Sequence, residues 1–164
     1  MSTQQSRILV LGLGNDILGD DAVGLVAARR LRGRCSAEVD VVEAAESGLG
    51  LLDFLEGRSH ALLLDAILTG RHPAGTALEF SRADFRKASG PSPHYTGLPE
   101  LLRLAECLAS PVPTDLCVLA MEVEDPYRIQ EGLSTAVEQA LPAYIERACQ
   151  ILEGWSRRPA LRDA

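Results

Sequence analysis

The segment Ile8-Leu9-Val10-Leu11-Gly12-Leu13-Gly14-Asn15-Asp16-Ile17-Leu18-Gly19-Asp20-Asp21-Ala22-Val23-Gly24 changes character twice. It begins as an unbroken apolar run, the pattern of a strand buried on both faces, as in a parallel sheet. It then passes through a glycine-rich turn. From Val23 the apolar period lengthens, and Val23, Val26, Ala27 and Leu31 line one face of a helix. Asp20 is placed to cap that helix and Gly33 to end it. Strand, turn and helix in this order make the opening unit of an α/β fold.

Working outward, the same alternation recurs. Val39, Val41 and Val42 form a second strand, alternating at first and so nearer an edge, and a short helix covers Leu49 to Leu55. Ala61-Leu62-Leu63-Leu64 is a continuous third strand that stops at Asp65. After a Gly- and Pro-rich loop, Thr76, Leu78 and Phe80 alternate with other residues, which predicts an antiparallel edge strand. Leu98 to Leu108 reads as a helix and Leu116 to Met121 as another buried strand. The last helix starts near Ser134, with capping-box spacing at Thr135 and Glu138, and runs to about Leu152 with Pro142 bending it. The expectation is a three-layer α/β/α sandwich on a mostly parallel five-stranded twisted sheet, in the order 2-1-3-5-4. It forms one domain over residues 1–154, with a loose tail over 155–164.

Bulk properties narrow the function. The chain has 164 residues, 46% hydrophobic, with a formal net charge of -7. That length suits a single domain with a substantial core. The acidic balance argues against nucleic acid, because phosphate contacts need a clustered basic surface. Arg29, Arg30, Arg32 and Arg34 are the densest basic stretch and read as a solvated helix face. No apolar run approaches the roughly 20 residues of a membrane span. Four cysteines, none in a C-x-x-C pair, disfavour a structural zinc site. With no secretion signal they suggest the reducing cytosol. Cys117 reads as a small buried hydrophobe.

In a doubly wound sheet, sites form beyond the carboxyl ends of the strands. Asp20 and Asp21 follow the first strand and Asp65 ends the third. His94 stands in the loop Gly90-Pro91-Ser92-Pro93-His94, before a helix. Gly12-x-Gly14 matches half of a dinucleotide fingerprint, but Ile17 stands at its third glycine and the neighbouring carboxylates repel a pyrophosphate. Two carboxylates and an imidazole instead suit a divalent transition metal. Each residue also has a plain structural role open to it. Asp20 serves as a helix cap, Asp21 as a favourable charge on the helix dipole, Asp65 as a turn starter and His94 as a cap. Glycines 12, 14 and 24 serve as backbone devices, and His60 and His72 as surface or packing residues. On residues alone the reading stops at an α/β domain with an acidic, potentially metal-binding cleft.

The stretch Gly12 to Gly24 resembles the N-terminal signature of hydrogenase maturation proteases. Leu64-Asp65-Ala66-Ile67 and Ser92-Pro93-His94-Tyr95-Thr96-Gly97-Leu98 resemble that family's second and third motifs, in order. The resemblance spans about Arg7 to Glu153. It implies an α/β/α endopeptidase that removes a C-terminal extension from the large-subunit precursor of a nickel–iron hydrogenase after nickel insertion. It also implies that Asp21, Asp65 and His94 are the metal-binding and catalytic residues, with nickel presented by the substrate and no nucleotide. A cytoplasmic monomer is expected. The alternatives are a zinc peptidase holding its own metal, and a non-catalytic nickel or assembly chaperone. One stretch departs from the family: Glu43-Ala44-Ala45-Glu46-Ser47-Gly48 replaces a common Asp-Gly-Gly-Thr. Glu46 is therefore a candidate extra carboxylate.

Overall fold

The computed structural model describes residues 7–45, 47–84, 98–107 and 109–157. Five strands form one sheet: β1 (Ile8–Leu13), β2 (Val39–Ala44), β3 (His60–Ile67), β4 (Ala77–Ser81) and β5 (Asp115–Glu122). Their spatial order is β2-β1-β3-β5-β4, with β4 antiparallel on β5 and every other pairing parallel. This is the expected topology. The helices are α1 (Val23–Leu31), α2 (Leu52–Leu55), α3 (Leu98–Cys107) and α4 (Thr135–Ser156). Single 3-10 turns stand at Gly19–Ala22 and Gly48–Leu51.

Continuous apolar runs end up buried because both sheet faces are covered. On one face, Val10, Leu62, Leu64 and Leu119 pack against Val23, Ala27 and Leu31 of α1 and Leu141, Ile145 and Ala148 of α4. On the other, Leu9, Leu11, Leu63 and Val118 meet Leu51, Leu55 of α2 and Leu102 of α3. Every residue of β1 is buried, while β4 alternates exposed and half-buried, as its edge position demands. Truncating a fully buried leucine such as Leu11 or Leu63 would cost about 2–5 kcal/mol.

The first turn is built by close approach. A Cβ at Gly24 would stand 2.2 Å from the Leu64 carbonyl oxygen and 2.4 Å from that of Leu13. Only glycine lets α1 rest on the ends of β1 and β3 together. Gly14, at φ +147, leaves no room either, since a Cβ there would lie 2.1 Å from the Asp21 carbonyl.

Four local expectations are corrected. Asp20 does not cap α1. Ala22 holds that position with no side-chain cap, and the Asp20 carboxylate instead accepts from the Ser134 amide at 2.6 Å. Asp65 does not end β3, because the strand pairs with β5 through Ile67↔Glu122. The cap of α4 is Ser134, whose hydroxyl accepts from the Val137 amide, rather than Thr135. Trp155 and Ser156 belong to α4 rather than a tail. The half-buried Trp155 ring lies 5.2 Å from that of His60. Pro142 lies inside α4, which continues through it.

Candidate active site

The strand order reverses between β1 and β3, so the crevice of the sheet opens at their carboxyl ends. Asp21 arrives there on the 3-10 turn after β1, its amide bonded to the Leu18 carbonyl at 3.0 Å. Asp65 arrives as a residue of β3, next to Leu64, whose carbonyl abuts Gly24. Asp21 is 5% exposed and Asp65 fully buried. Carboxylates this far out of water need compensation from hydrogen bonds, partner charges or a cation. One oxygen of Asp65 accepts from the Ala66 amide at 2.8 Å.

The backbone under Asp65 is fixed from the opposite face. The hydroxyl of fully buried Tyr144 on α4 donates to the Leu119 carbonyl and accepts from the Asp65 amide at 3.3 Å. It thereby bridges β3 and β5 beneath the candidate acid. Burial first, and the neighbouring Asp65 charge second, hold the phenol well above its ordinary pKa. Tyr144 is therefore a neutral strut.

A second buried acid shares this end of the sheet. Glu122 closes β5 at 1% exposure. It accepts from the Thr69 amide at 2.8 Å, the Thr69 hydroxyl at 2.7 Å and the Gly70 amide at 2.9 Å. It pins the β3–β4 loop where that loop leaves the crevice. The sequence held a signal for Glu122, an acid closing an apolar run just as Asp65 does. No sequence signal announced Tyr144, or the bond from Asp20 to Ser134.

His94 and Glu46 lie outside the described residues. Among the described residues no group of three His, Cys, Asp or Glu side chains gathers in a metal-binding arrangement. The described part of the predicted set is the pair Asp21 and Asp65, brought to the neighbouring ends of β1 and β3. Asp20 belongs to the architecture. The arginines at the end of α1 and just after it are exposed and ion-paired, Arg29 with Asp16 and Glu43, and Arg32 with Glu43. Cys117 is buried, its thiol pushed up to about 12 by burial, which makes it the inert hydrophobe its neighbours suggested.

At the other end of the sheet, Ser59, His60 and Asp115 imitate a catalytic chain. Ser59 Oγ lies 2.8 Å from His60 Nδ1, and His60 Nε2 lies 3.4 Å from Asp115. The Ser59 hydroxyl, however, donates to the Arg7 carbonyl at 3.0 Å. With its one proton on the backbone, the 2.8 Å contact is made by His60 Nδ1–H donating to Ser59 Oγ, the wrong sense for a general base. His60 is a packing residue.

Comparison with known proteins decides the lineage. A family model for hydrogenase maturation proteases matches residues 25–151. The chain belongs to the hydrogenase maturation protease family. It is 30% identical to the hydrogenase expression/formation protein HupD of Bradyrhizobium diazoefficiens, over 99% of this chain and 86% of the relative. It is 27% identical to the hydrogenase 2 maturation protease of Escherichia coli, over 96% of this chain and 99% of that one. The solved structure of the hydrogenase maturating endopeptidase HybD from E. coli superposes with a TM-score of 0.76 at 27% identity, covering 90% of this chain and 93% of that chain. Membership in this protease family makes the chain a hydrolase of peptide bonds.

Proposed function

We propose that this maturation protease is the cytoplasmic endopeptidase that removes the C-terminal extension of a nickel–iron hydrogenase large-subunit precursor once nickel is in place. Asp21, Asp65 and His94 grip the nickel that the substrate presents. The observation that carries the proposal is the burial of Asp21 and Asp65 at the neighbouring ends of β1 and β3, in a chain of this family. Two carboxylates suit a divalent cation, and an imidazole from His94 would complete a mixed oxygen–nitrogen set.

That donor set fits the role and leaves selectivity to the substrate. Oxygen and nitrogen ligands alone do not prefer nickel to zinc or copper. Selection therefore comes from the metal already seated in the precursor. Bound, the metal polarises the scissile carbonyl or a water. Asp21 and Asp65 orient the bond, the Tyr144 strut keeps the Asp65 backbone in place, and a carboxylate of the pair takes the proton. Because the ligand set is completed only by loaded substrate, cleavage becomes a check on metal insertion.

The test compares nickel-loaded and metal-free precursor at equal protease, followed by intact mass spectrometry. Loss of the C-terminal peptide only from loaded precursor is expected, and nickel added to the protease alone does not rescue the metal-free form. Equal cleavage of both forms would instead identify a peptidase with its own metal. Binding without any mass change would identify an assembly chaperone. His94→Ala should abolish processing while changing stability by no more than about 0.5 kcal/mol.

A further inference from the structure

Large apolar side chains left in water are not spread evenly over this molecule. Among the described residues six stand well exposed, and five of them occupy one end of the sheet. Ile17 follows β1, Leu49 follows β2, Leu68 follows β3, and Tyr127 and Ile129 follow β5. All five lie in segments leaving the carboxyl ends of parallel strands, the end that carries Asp21 and Asp65. The sixth, Leu104, lies on α3. A clustered apolar surface beside an active cleft marks an interaction site, whereas scattered exposed leucines do not.

Two of the five are rigidly presented. Ile17 and Ile129 flank a parallel bridge between Leu18 and Gln130. The Gln130 amide donates to the Ile17 carbonyl at 3.2 Å and the Gly19 amide to the Gln130 carbonyl at 3.0 Å. The loops after β1 and β5 are thus tied into one ribbon that holds Ile129 at 81% exposure and Ile17 at 62%. Fixing these side chains before binding lowers the ordering cost of an interface.

Charge selects the kind of partner. Around Tyr127 and Ile129, the residues 124–131 carry Glu124, Asp125 and Glu131 against Arg128 alone, all exposed. An anionic lipid surface is repelled by that rim. A second copy of this chain would set acids against acids. A protein face that is apolar at its centre and bordered by Lys or Arg is complementary in both respects.

We infer that Ile17, Leu49, Leu68, Tyr127 and Ile129 form a docking rim for the folded body of the large-subunit precursor, separate from the grip on its tail. This inference rests on the function proposed above and deepens it. The rim supplies affinity and the acid pair supplies chemistry, so mature large subunit lacking the extension still binds and competes with precursor.

The experiment uses nickel-loaded precursor and the same subunit truncated at the cleavage point. Binding and processing are measured for the unaltered chain and for Ile129→Asp, Tyr127→Ser and, as a control outside the rim, Leu104→Asp. The two rim variants should bind both forms at least tenfold more weakly and raise KM with little change in kcat, while Leu104→Asp stays within twofold. Since these positions are exposed, thermal unfolding should be unchanged; any variant that melts early is replaced by Ile129→Ser. Unchanged KM in Ile129→Asp, alongside normal cleavage by the unaltered chain, overturns the docking rim and leaves the proposed function standing. Tight binding that the rim variants weaken, with no cleavage by the unaltered chain, does the reverse. The rim is also overturned if Ile129→Asp dissociates a dimer in light scattering, or if the unaltered chain binds phosphatidylserine vesicles and the variant does not.

Discussion

At the carboxyl ends of the parallel strands the chain buries Asp21, Asp65 and Glu122 and leaves Ile17, Tyr127 and Ile129 in water; at the amino ends, among the described residues, the buried charge is a cation, Arg58. There Arg58 folds against Asp40, His60 rests on Trp155 beside Asp115, and Ser59 donates twice to the Arg7 carbonyl. Polar groups at the amino end satisfy one another across the sheet edge. Polar groups at the carboxyl end are held out of solvent on hydrogen bonds from the chain itself, Asp65 on the Ala66 amide and Glu122 on Thr69 and Gly70, under an apolar border. A fold seeking stability alone would have no reason for the second arrangement, since burying carboxylates opposes folding. The cost is located where the chemistry is proposed.

The largest effect should come from the acids of the crevice. Asp65→Asn keeps the shape and the Ala66 hydrogen bond but removes the charge. Processing should fall by about 100-fold or more, measured as the rate of mass loss from precursor, with circular dichroism unchanged. Arg58→Met at the other end should leave processing within about twofold and cost about 1 kcal/mol, because its partner Asp40 can return to water. Comparable losses of processing from both variants would erase the distinction between the ends.

Glycine offers the next contrast, since α1 runs from one end to the other. Gly24→Ala would drive a methyl into the Leu13 and Leu64 carbonyls and should cost about 3 kcal/mol in urea unfolding. Gly33, past the far end of α1, has nothing within 4 Å of an added Cβ and no left-handed backbone. Gly33→Ala should therefore stabilise the chain by about 0.5 kcal/mol through the unfolded state. If the two replacements cost the same, the tight first turn is not what holds α1 on the sheet.

Much of this fold was legible because parallel sheets write their burial directly into the sequence. The runs at Ile8, Ala61 and Leu116 have no reason to be apolar on both faces unless both are covered. Leu78 and Phe80 alternate because β4 is covered on one. Strand ends were less legible. Asp65 looked like a stop because an acid seldom continues a buried strand, yet β5 carries the ladder on to Ile67. Asp20 looked like a cap because its spacing suited one, while its real acceptor role joins residues 114 positions apart. Local pattern cannot see such a bond. Of the candidate site, the arrival of Asp21 and Asp65 at the carboxyl-end side of β1 and β3 was legible from position alone. Glu122, which does close β5, was missed because its partners Thr69 and Gly70 come from another loop.

The Tyr144 strut has an optical consequence. A tyrosine in an unfolded chain ionises near pH 10, and Tyr144 is held well above that by burial and by Asp65. Its neutral form therefore contributes stability that is fully present below about pH 10 and is lost as the solution becomes more alkaline. The phenolate absorbs at longer near-ultraviolet wavelengths, and more strongly, than the phenol. An alkaline titration should show one tyrosine whose absorbance step coincides with loss of the circular dichroism signal. That chromophore, already seated between β3 and β5, reports without any label when the sheet beneath the crevice comes apart.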